Sequence, residues 1–320
     1  MNLDKIYAPV KNDLELVEQK LTAIAKNDIP LLSKLLEYAL LNGGKRVRPA
    51  LTLLSGKFNK YNRDVLIPMA TAVELLHVGT LVHDDIVDNS PLRHGKQTVC
   101  KTWGSNSALL LGDYLFARAG SLAATTENMR VIRRFSETLM TISGGELREA
   151  GVSFELPSAR YNYYKWISDK TACLFVMAAE CGSVLSGCNE EQITAMKDYA
   201  LNFGLAFQVI DDILDFVGDQ SAMGKPVGSD LGEGAITLPS IIYAEKNPGD
   251  GIIYKILIEK DRNLVSEAVK RIRESGVIDD CRSIARDFYS KAYEALEKLP
   301  DCEARGSLHA LITFVIERNR

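Results

Sequence analysis

The sequence predicts an all-α protein forming one domain over residues 1–320, and three observations lead there. Apolar residues recur at three- and four-residue spacing along nearly the whole chain, the period of a helix with one buried face. Few segments alternate apolar and polar residues with β-branched enrichment, so no sheet is expected. No fixed-period repeat and no low-complexity linker divides the chain.

The elements follow in order. Leu31, Leu32, Leu35, Leu36, Ala39 and Leu40 share one helix face, and Pro30 suits its first turn. The next helix runs from Asp64, read as a capping acid, to about Asp88. Further helices are expected near 105–124, 127–150, 160–187, 190–217, 236–246, 262–275, 279–298 and 303–318, about ten or more in all. The glycine-bearing segment from Asp219 to Gly234 reads as a long loop, and long loops in compact domains tend to carry function.

Composition narrows the class. Hydrophobic residues make up 46% and charged residues 25%, which excludes a mainly disordered chain. With 38 basic and 42 acidic residues the formal net charge is −4, which argues against general nucleic-acid binding. No apolar run approaches the ~18–20 residues that span a bilayer, so no transmembrane segment is expected. The N-terminal stretch lacks the apolar core of a signal peptide, and a cytoplasmic location is expected. The six cysteines form no CxxC pair; Cys173 and Cys181 lie in apolar helical sequence and read as buried thiols.

Two segments share one acidic pattern: Asp84-Asp85-Ile86-Val87-Asp88 and Asp211-Asp212-Ile213-Leu214-Asp215. On a helix, Asp84 shares a face with Asp88, and Asp211 with Asp215, and like charges at that spacing are unfavourable. Each motif continues a strongly apolar run, which sets the carboxylates beside a core, where they repel strongly unless a cation intervenes. Carboxylate pairs completed by substrate phosphates suit Mg²⁺, so the pattern suggests a Mg²⁺–diphosphate site between two facing helices. Basic groups alternate with the acids. Lys45, Arg46 and Arg48 lie in a glycine-bearing turn ahead of a helix, Arg93 and His94 just past the first acidic motif, Lys170 before an apolar helix, and Lys225 in the loop after the second.

These segments resemble the trans-prenyltransferases, the head-to-tail polyprenyl diphosphate synthases. GGKRVRP, ELLHVGTLVHDDIVDNSPLRHG, GDYLFARA, GGEL, SDKTACLF, FQVIDDILD, GKPVGSDLGEGAITLP and IERNR occur in family order from residue 43 to residue 320. The resemblance implies a large helical bundle around a central cavity, usually in a homodimer. It implies that Asp84, Asp85, Asp88, Asp211 and Asp215 hold Mg²⁺ against an allylic diphosphate, with Asp212 at the middle of the second motif. Arg93, Lys170 and Lys225 match allylic-diphosphate residues, and Lys45, Arg48 and His77 match the isopentenyl diphosphate site. Thr171 and Gln208 match positions beside the reacting carbons, and Arg318 and Arg320 resemble a basic tail that closes over the site. Two departures stand out: His94 replaces a second arginine that usually contacts isopentenyl diphosphate, and Ala235 replaces a lysine.

The implied reaction is ionisation of the allylic diphosphate, attack by the isopentenyl double bond and loss of a proton, with water excluded. The growing chain is expected to run along the helix that precedes Asp84, past Thr80, Gly79, Leu76, Leu75 and Ala72. In this family a bulky residue five before the first aspartate resembles a plug; Gly79 leaves that place open, so a long-chain product suited to a quinone side chain is expected, released through brief contact with a membrane surface. The competing readings are a short-chain farnesyl or geranylgeranyl diphosphate synthase, a class I terpene cyclase, and an inactive partner subunit. The cyclase lacks GGKRVRP, and an inactive subunit typically loses motif aspartates that are all present here.

Overall fold

A computed structural model of the chain describes residues 2–41, 43–93, 95–151, 155–218 and 227–318, without the side chains of 149–151. The described residues are almost wholly helical, as the periodicity requires. The helices are α1 (Leu3–Ile6), α2 (Lys11–Ala25), α3 (Pro30–Leu40), α4 (Val47–Ser55), α5 (Arg63–Val87), α6 (Val99–Trp103), α7 (Ser105–Ala124), α8 (Met129–Gly151), α9 (Leu156–Ile167), α10 (Cys173–Leu185) and α11 (Glu190–Val217). Five more follow: Leu238–Lys246, Ile252–Leu257, Val265–Glu274, Val277–Leu296 and Glu303–Ile316, with a short Ser229–Glu233 helix before them. The one sheet among the described residues pairs Leu92–Arg93 with Lys96–Gln97, a two-residue antiparallel ladder.

Several boundaries differ from expectation for local reasons. α5 is capped by Asn62, whose side chain accepts from the Asp64 amide at 3.0 Å, so Asp64 lies within the first turn, where its charge suits the helix dipole. The helix expected over 160–187 contains a π-helical turn at Ser168–Ala172, which carries Lys170 and Thr171. Single π turns inside α-helices concentrate at functional sites. The loop expected over 219–234 includes the Ser229–Glu233 helix; residues 219–226 lie outside the described residues.

The chain gathers into two compact units. One comprises Met1–Leu139, Leu174–Ala200 and Ala295–Leu311. Its core is built on α5, which packs on α7, α4 and α2. α5 is long and apolar enough to cross a membrane, contrary to the expectation that no run is, yet 78% of its most apolar window is buried in the protein, as befits a core helix. The second unit comprises Met140–Cys173, Leu201–Glu294 and Ile312–Arg320, with a core that includes Phe203, Ile213, Phe216, Leu238, Ile241 and Ile272. All six cysteines are free thiols, and Cys173 and Cys181 are buried as expected.

The packing of α5 on α7 is reciprocal. The Phe116 ring of α7 fills the notch at Gly79 of α5, and the His83 ring of α5 fills the notch at Gly112 of α7. The two rings meet edge to face with centroids 5.1 Å apart. A Cβ at residue 79 would lie 2.7 Å from Phe116, and one at residue 112 would lie 2.1 Å from the His83 ring. Gly79→Ala and Gly112→Ala are each expected to destabilise by about 1–3 kcal/mol through overpacking. Gly144→Ala, in α8 with nothing within 4 Å, is expected to be neutral or stabilising by up to ~1 kcal/mol. Urea unfolding of the three variants checks this ranking.

Candidate active site

The first acidic motif sits where α5 leaves its core. From Leu66 to Leu76 the helix is buried throughout; then His77, Thr80, Asp84 and Asp88 form a partly accessible stripe at helical spacing. Asp85 faces the other way, 5% exposed, and accepts from Arg93 Nε at 2.8 Å. The short ladder places that arginine: the chain turns back after Arg93 and pairs Arg93 with Lys96.

The basic turn ahead of α4 divides its cations between two tasks. Arg46, with a left-handed φ of 46°, turns inward and binds Glu18, the Leu40 carbonyl at 2.8 Å and the buried Glu74 at 2.7 Å. A cation on a glycine-bearing turn suits phosphate oxygens by its position in the sequence, but Arg46 instead neutralises a buried carboxylate. Arg48 lies 3.0 Å from His77 Nε2, with its guanidinium 4.3 Å from the centre of the Phe175 ring. Lys45 is exposed, and its carbonyl accepts from the Tyr7 hydroxyl at 2.9 Å.

In the second unit the π turn supplies the cation and the hydroxyl. Lys170 Nζ is 2.8 Å from Glu146. The neighbouring Asp169 is buried and anchored by Arg148 at 2.7 Å and Lys165 at 2.8 Å. Thr171 donates to Gln208 Oε1 at 2.8 Å, Gln208 Nε2 donates to Asp212 Oδ1 at 2.9 Å, and the Tyr163 hydroxyl donates to Asp212 Oδ2 at 2.5 Å.

The three aspartates of the second motif are not equivalent. Asp212 is 1% exposed, and burial pushes its carboxyl well above the usual carboxylate range, against the pull of its two hydrogen bonds. Burial likewise raises the Tyr163 phenol. Asp211, with its side chain 47% exposed, accepts from Arg318 Nη1 at 3.0 Å. Asp215 is buried and accepts from Ser229 Oγ at 2.9 Å.

His94, Lys225 and Arg320 lie outside the described residues. Ala235 donates its amide to the Asp230 carbonyl at 2.9 Å, a turn contact that places no charge there. The open path inferred from Gly79 is corrected. Phe116 occupies that place, and Ala72, Leu75 and Leu76 are 0% exposed, so no water-sized space adjoins them. Gly79 lies on the packing face of α5, while Thr80, one residue on, lies on the accessible stripe and donates to the His77 carbonyl at 2.7 Å. Sequence reasoning passed over Tyr163, Phe116, Glu146 and Asp169 as individual residues; Phe116, Glu146 and Asp169 lie inside the segments GDYLFARA, GGEL and SDKTACLF, and what each of the four does is found only through its tertiary partner.

Among the described residues no three His, Cys, Asp or Glu side chains are gathered into a closed cage for a metal. The donors present are carboxylate oxygens at the C-terminal ends of α5 and α11, where the helix dipole adds negative potential. Each of these donor types, taken by itself, fits a hard cation that keeps open positions for phosphate oxygens.

A helical protein with such carboxylates, each motif holding an arginine, is built to handle a polyanion through cations. The chain belongs to the polyprenyl synthetase family, whose pattern it matches over residues 29–275, and it is thereby a prenyltransferase of a family that uses a divalent metal. It is 31% identical over 99% of its length to heptaprenyl diphosphate synthase component 2 of Bacillus subtilis, covering 91% of that protein. It is 32% identical to octaprenyl diphosphate synthase of Escherichia coli, with both chains covered in full. The crystal structure of polyprenyl synthase from Caulobacter crescentus, complexed with calcium and isoprenyl diphosphate, superposes with a TM-score of 0.93 at 32% identity, covering 100% of this chain and 98% of that one.

Arg46→Ala is expected to cost about 3–5 kcal/mol, because it strands the buried Glu74 carboxylate. Arg48→Ala, in the first turn of α4 and partly accessible, is expected to leave the unfolding midpoint nearly unchanged and, on the function proposed below, to raise KM for isopentenyl diphosphate. Urea unfolding and initial-rate kinetics on both variants separate the two roles.

Proposed function

We propose that the chain condenses isopentenyl diphosphate head-to-tail onto an allylic diphosphate, giving an all-trans polyprenyl diphosphate. The observation that carries this is the accessible stripe of α5. It sets Asp84 two turns, about 10 Å, and Asp88 three turns, about 16 Å, from His77 and its Arg48 partner at 1.5 Å per residue. One helix face thus offers a cation-holding end and an anion-holding end.

Asp84, Asp85, Asp88, Asp211 and Asp215 would hold Mg²⁺, which when bound neutralises the departing diphosphate. Arg93, Lys170 and Lys225 bind the allylic diphosphate; Lys45, Arg48 and His77 bind isopentenyl diphosphate, and His94 adds charge toward that substrate only when protonated. Thr171 and Gln208 turn oxygen atoms toward the electron-poor carbon. The isopentenyl double bond attacks that carbon, and the proton released goes to the departed diphosphate. Arg318, seated on Asp211, is placed to cover the site after binding.

A long-chain product, suited to a quinone side chain, is supported by similarity to heptaprenyl and octaprenyl synthases over nearly the whole chain. The short-chain alternative is favoured by a separate observation, the Phe116 ring on Gly79 above fully buried Leu75 and Leu76. A cytoplasmic homodimer belongs to the same proposal; Leu109 and Leu110 of α7, 48% and 67% exposed, offer an apolar surface for a second copy.

Incubation of the purified chain with Mg²⁺, farnesyl diphosphate and isopentenyl diphosphate, with products sized by chromatography, tests the proposal. A linear product of heptaprenyl to nonaprenyl length is expected. A product that stops at geranylgeranyl diphosphate supports the short-chain reading, a cyclic hydrocarbon a cyclase, and no product a partner subunit. Asp84→Ala and Asp211→Ala are each expected to lower turnover by about 10³-fold while the chain stays folded.

A further inference from the structure

Thr171 and Gln208 are partly accessible, whereas the two residues behind them, Asp212 and Tyr163, are buried. The four form one hydrogen-bonded chain with a single polarity: Asp212 accepts at both oxygens, from the Tyr163 hydroxyl at Oδ2 and from the Gln208 NH₂ at Oδ1. The Gln208 carbonyl oxygen then faces Thr171, and the Thr171 hydroxyl spends its single hydrogen on that oxygen. The Tyr163 hydroxyl occupies the other Asp212 oxygen and holds the carboxylate in this orientation. What remains on the accessible side is lone pairs: those of Thr171 Oγ1 and the second lone pair of Gln208 Oε1.

We propose that Tyr163 and Asp212 are positioning residues that lock the Gln208 amide with its oxygen toward Thr171, so that the pair presents only oxygen lone pairs to an electron-poor carbon. This rests on the prenyltransferase reading above and adds two residues to it. Without the lock, the amide turns over at little cost. Its NH₂ then faces the accessible side and opposes the positive charge that develops on the substrate carbon. Neither Tyr163 nor Asp212 reaches substrate; each acts through Gln208. The middle aspartate of the second motif thus serves amide orientation, and metal holding falls to its neighbours Asp211 and Asp215.

The lock can be inverted and restored. Asp212→Asn leaves one acceptor oxygen for two donors, Tyr163 and Gln208, so the Gln208 amide is no longer held one way round, and Gln208→Glu sets two carboxylates against each other. In the double variant the new amide at position 212 donates to the new carboxylate at position 208. That carboxylate accepts from Thr171, and Tyr163 donates to the oxygen of the new amide, so every partner is satisfied and the oxygens face outward again. Steady-state kinetics with Mg²⁺, farnesyl diphosphate and isopentenyl diphosphate test this. Each single variant is expected to lower kcat by ~30-fold or more, with both KM values within about threefold of wild type, and the double variant to return to within about fivefold of it. Tyr163→Phe is expected to lower kcat by about 10-fold at unchanged KM, and it carries the test should Asp212→Asn not fold. If wild type forms no prenyl product, the function itself is wrong. If wild type is active but the double variant is as slow as the worse single, or Tyr163→Phe keeps full kcat, the positioning role is overturned.

Discussion

Negative charge at the C-terminal end of a buried helix is the constraint on which the site depends. α5 and α11 both finish in aspartates, and neither has a basic residue in its last turn. The helix dipole and the like-charged neighbours both add negative potential there, and little solvent screens the inner carboxylates. Each motif is therefore furnished with positive charge or hydrogen-bond donors from elsewhere in the chain: Arg93 on Asp85, Arg318 on Asp211, Ser229 on Asp215. Asp84 and Asp88 lie on the accessible stripe of α5, where the proposed reaction would bring a cation together with phosphate.

The same depth-sorting separates residues that look alike in sequence. Arg46 and Arg48 stand two apart in one motif, yet Arg46 ends on the buried Glu74 and Arg48 on the accessible His77. The left-handed turn at Arg46, immediately before α4 begins, sends the two side chains to different places. In α11, Gln208 stands on one turn and Asp212 on the next, but only Asp212 is enclosed. A buried carboxylate with two donors is rigid, and that rigidity is passed to the accessible amide it holds.

Packing also decides which small residue is a gap and which is a socket. Gly79 and Gly112 each receive a ring from the facing helix, and this interlock sets the rotation of α5 about its own axis. That rotation in turn decides that Thr80, Asp84 and Asp88 are accessible while Gly79 and Asp85 are buried. Both ends of the stripe that matters for function are thus consequences of a contact on another side of the helix.

The sequence by itself determined the all-α class, the extents of α7 and α11 and the acidic ends of α5 and α11. These follow from local periodicity and from unscreened like charge, both of which are written in nearest neighbours. It also paired, through motif order, the residue types that a diphosphate demands. Only the tertiary structure decided that Arg46 is structural, that Phe116 closes the place Gly79 leaves, and that Tyr163 stands behind Asp212. Each of these rests on two side chains separated by at least 28 residues of sequence, and no spacing rule records which of several chemically competent partners lies within reach. The π turn at Lys170 and Thr171 belongs with them: a helical pattern reads the same through one extra residue, while the shift it imposes on the side chains that follow exists only in three dimensions.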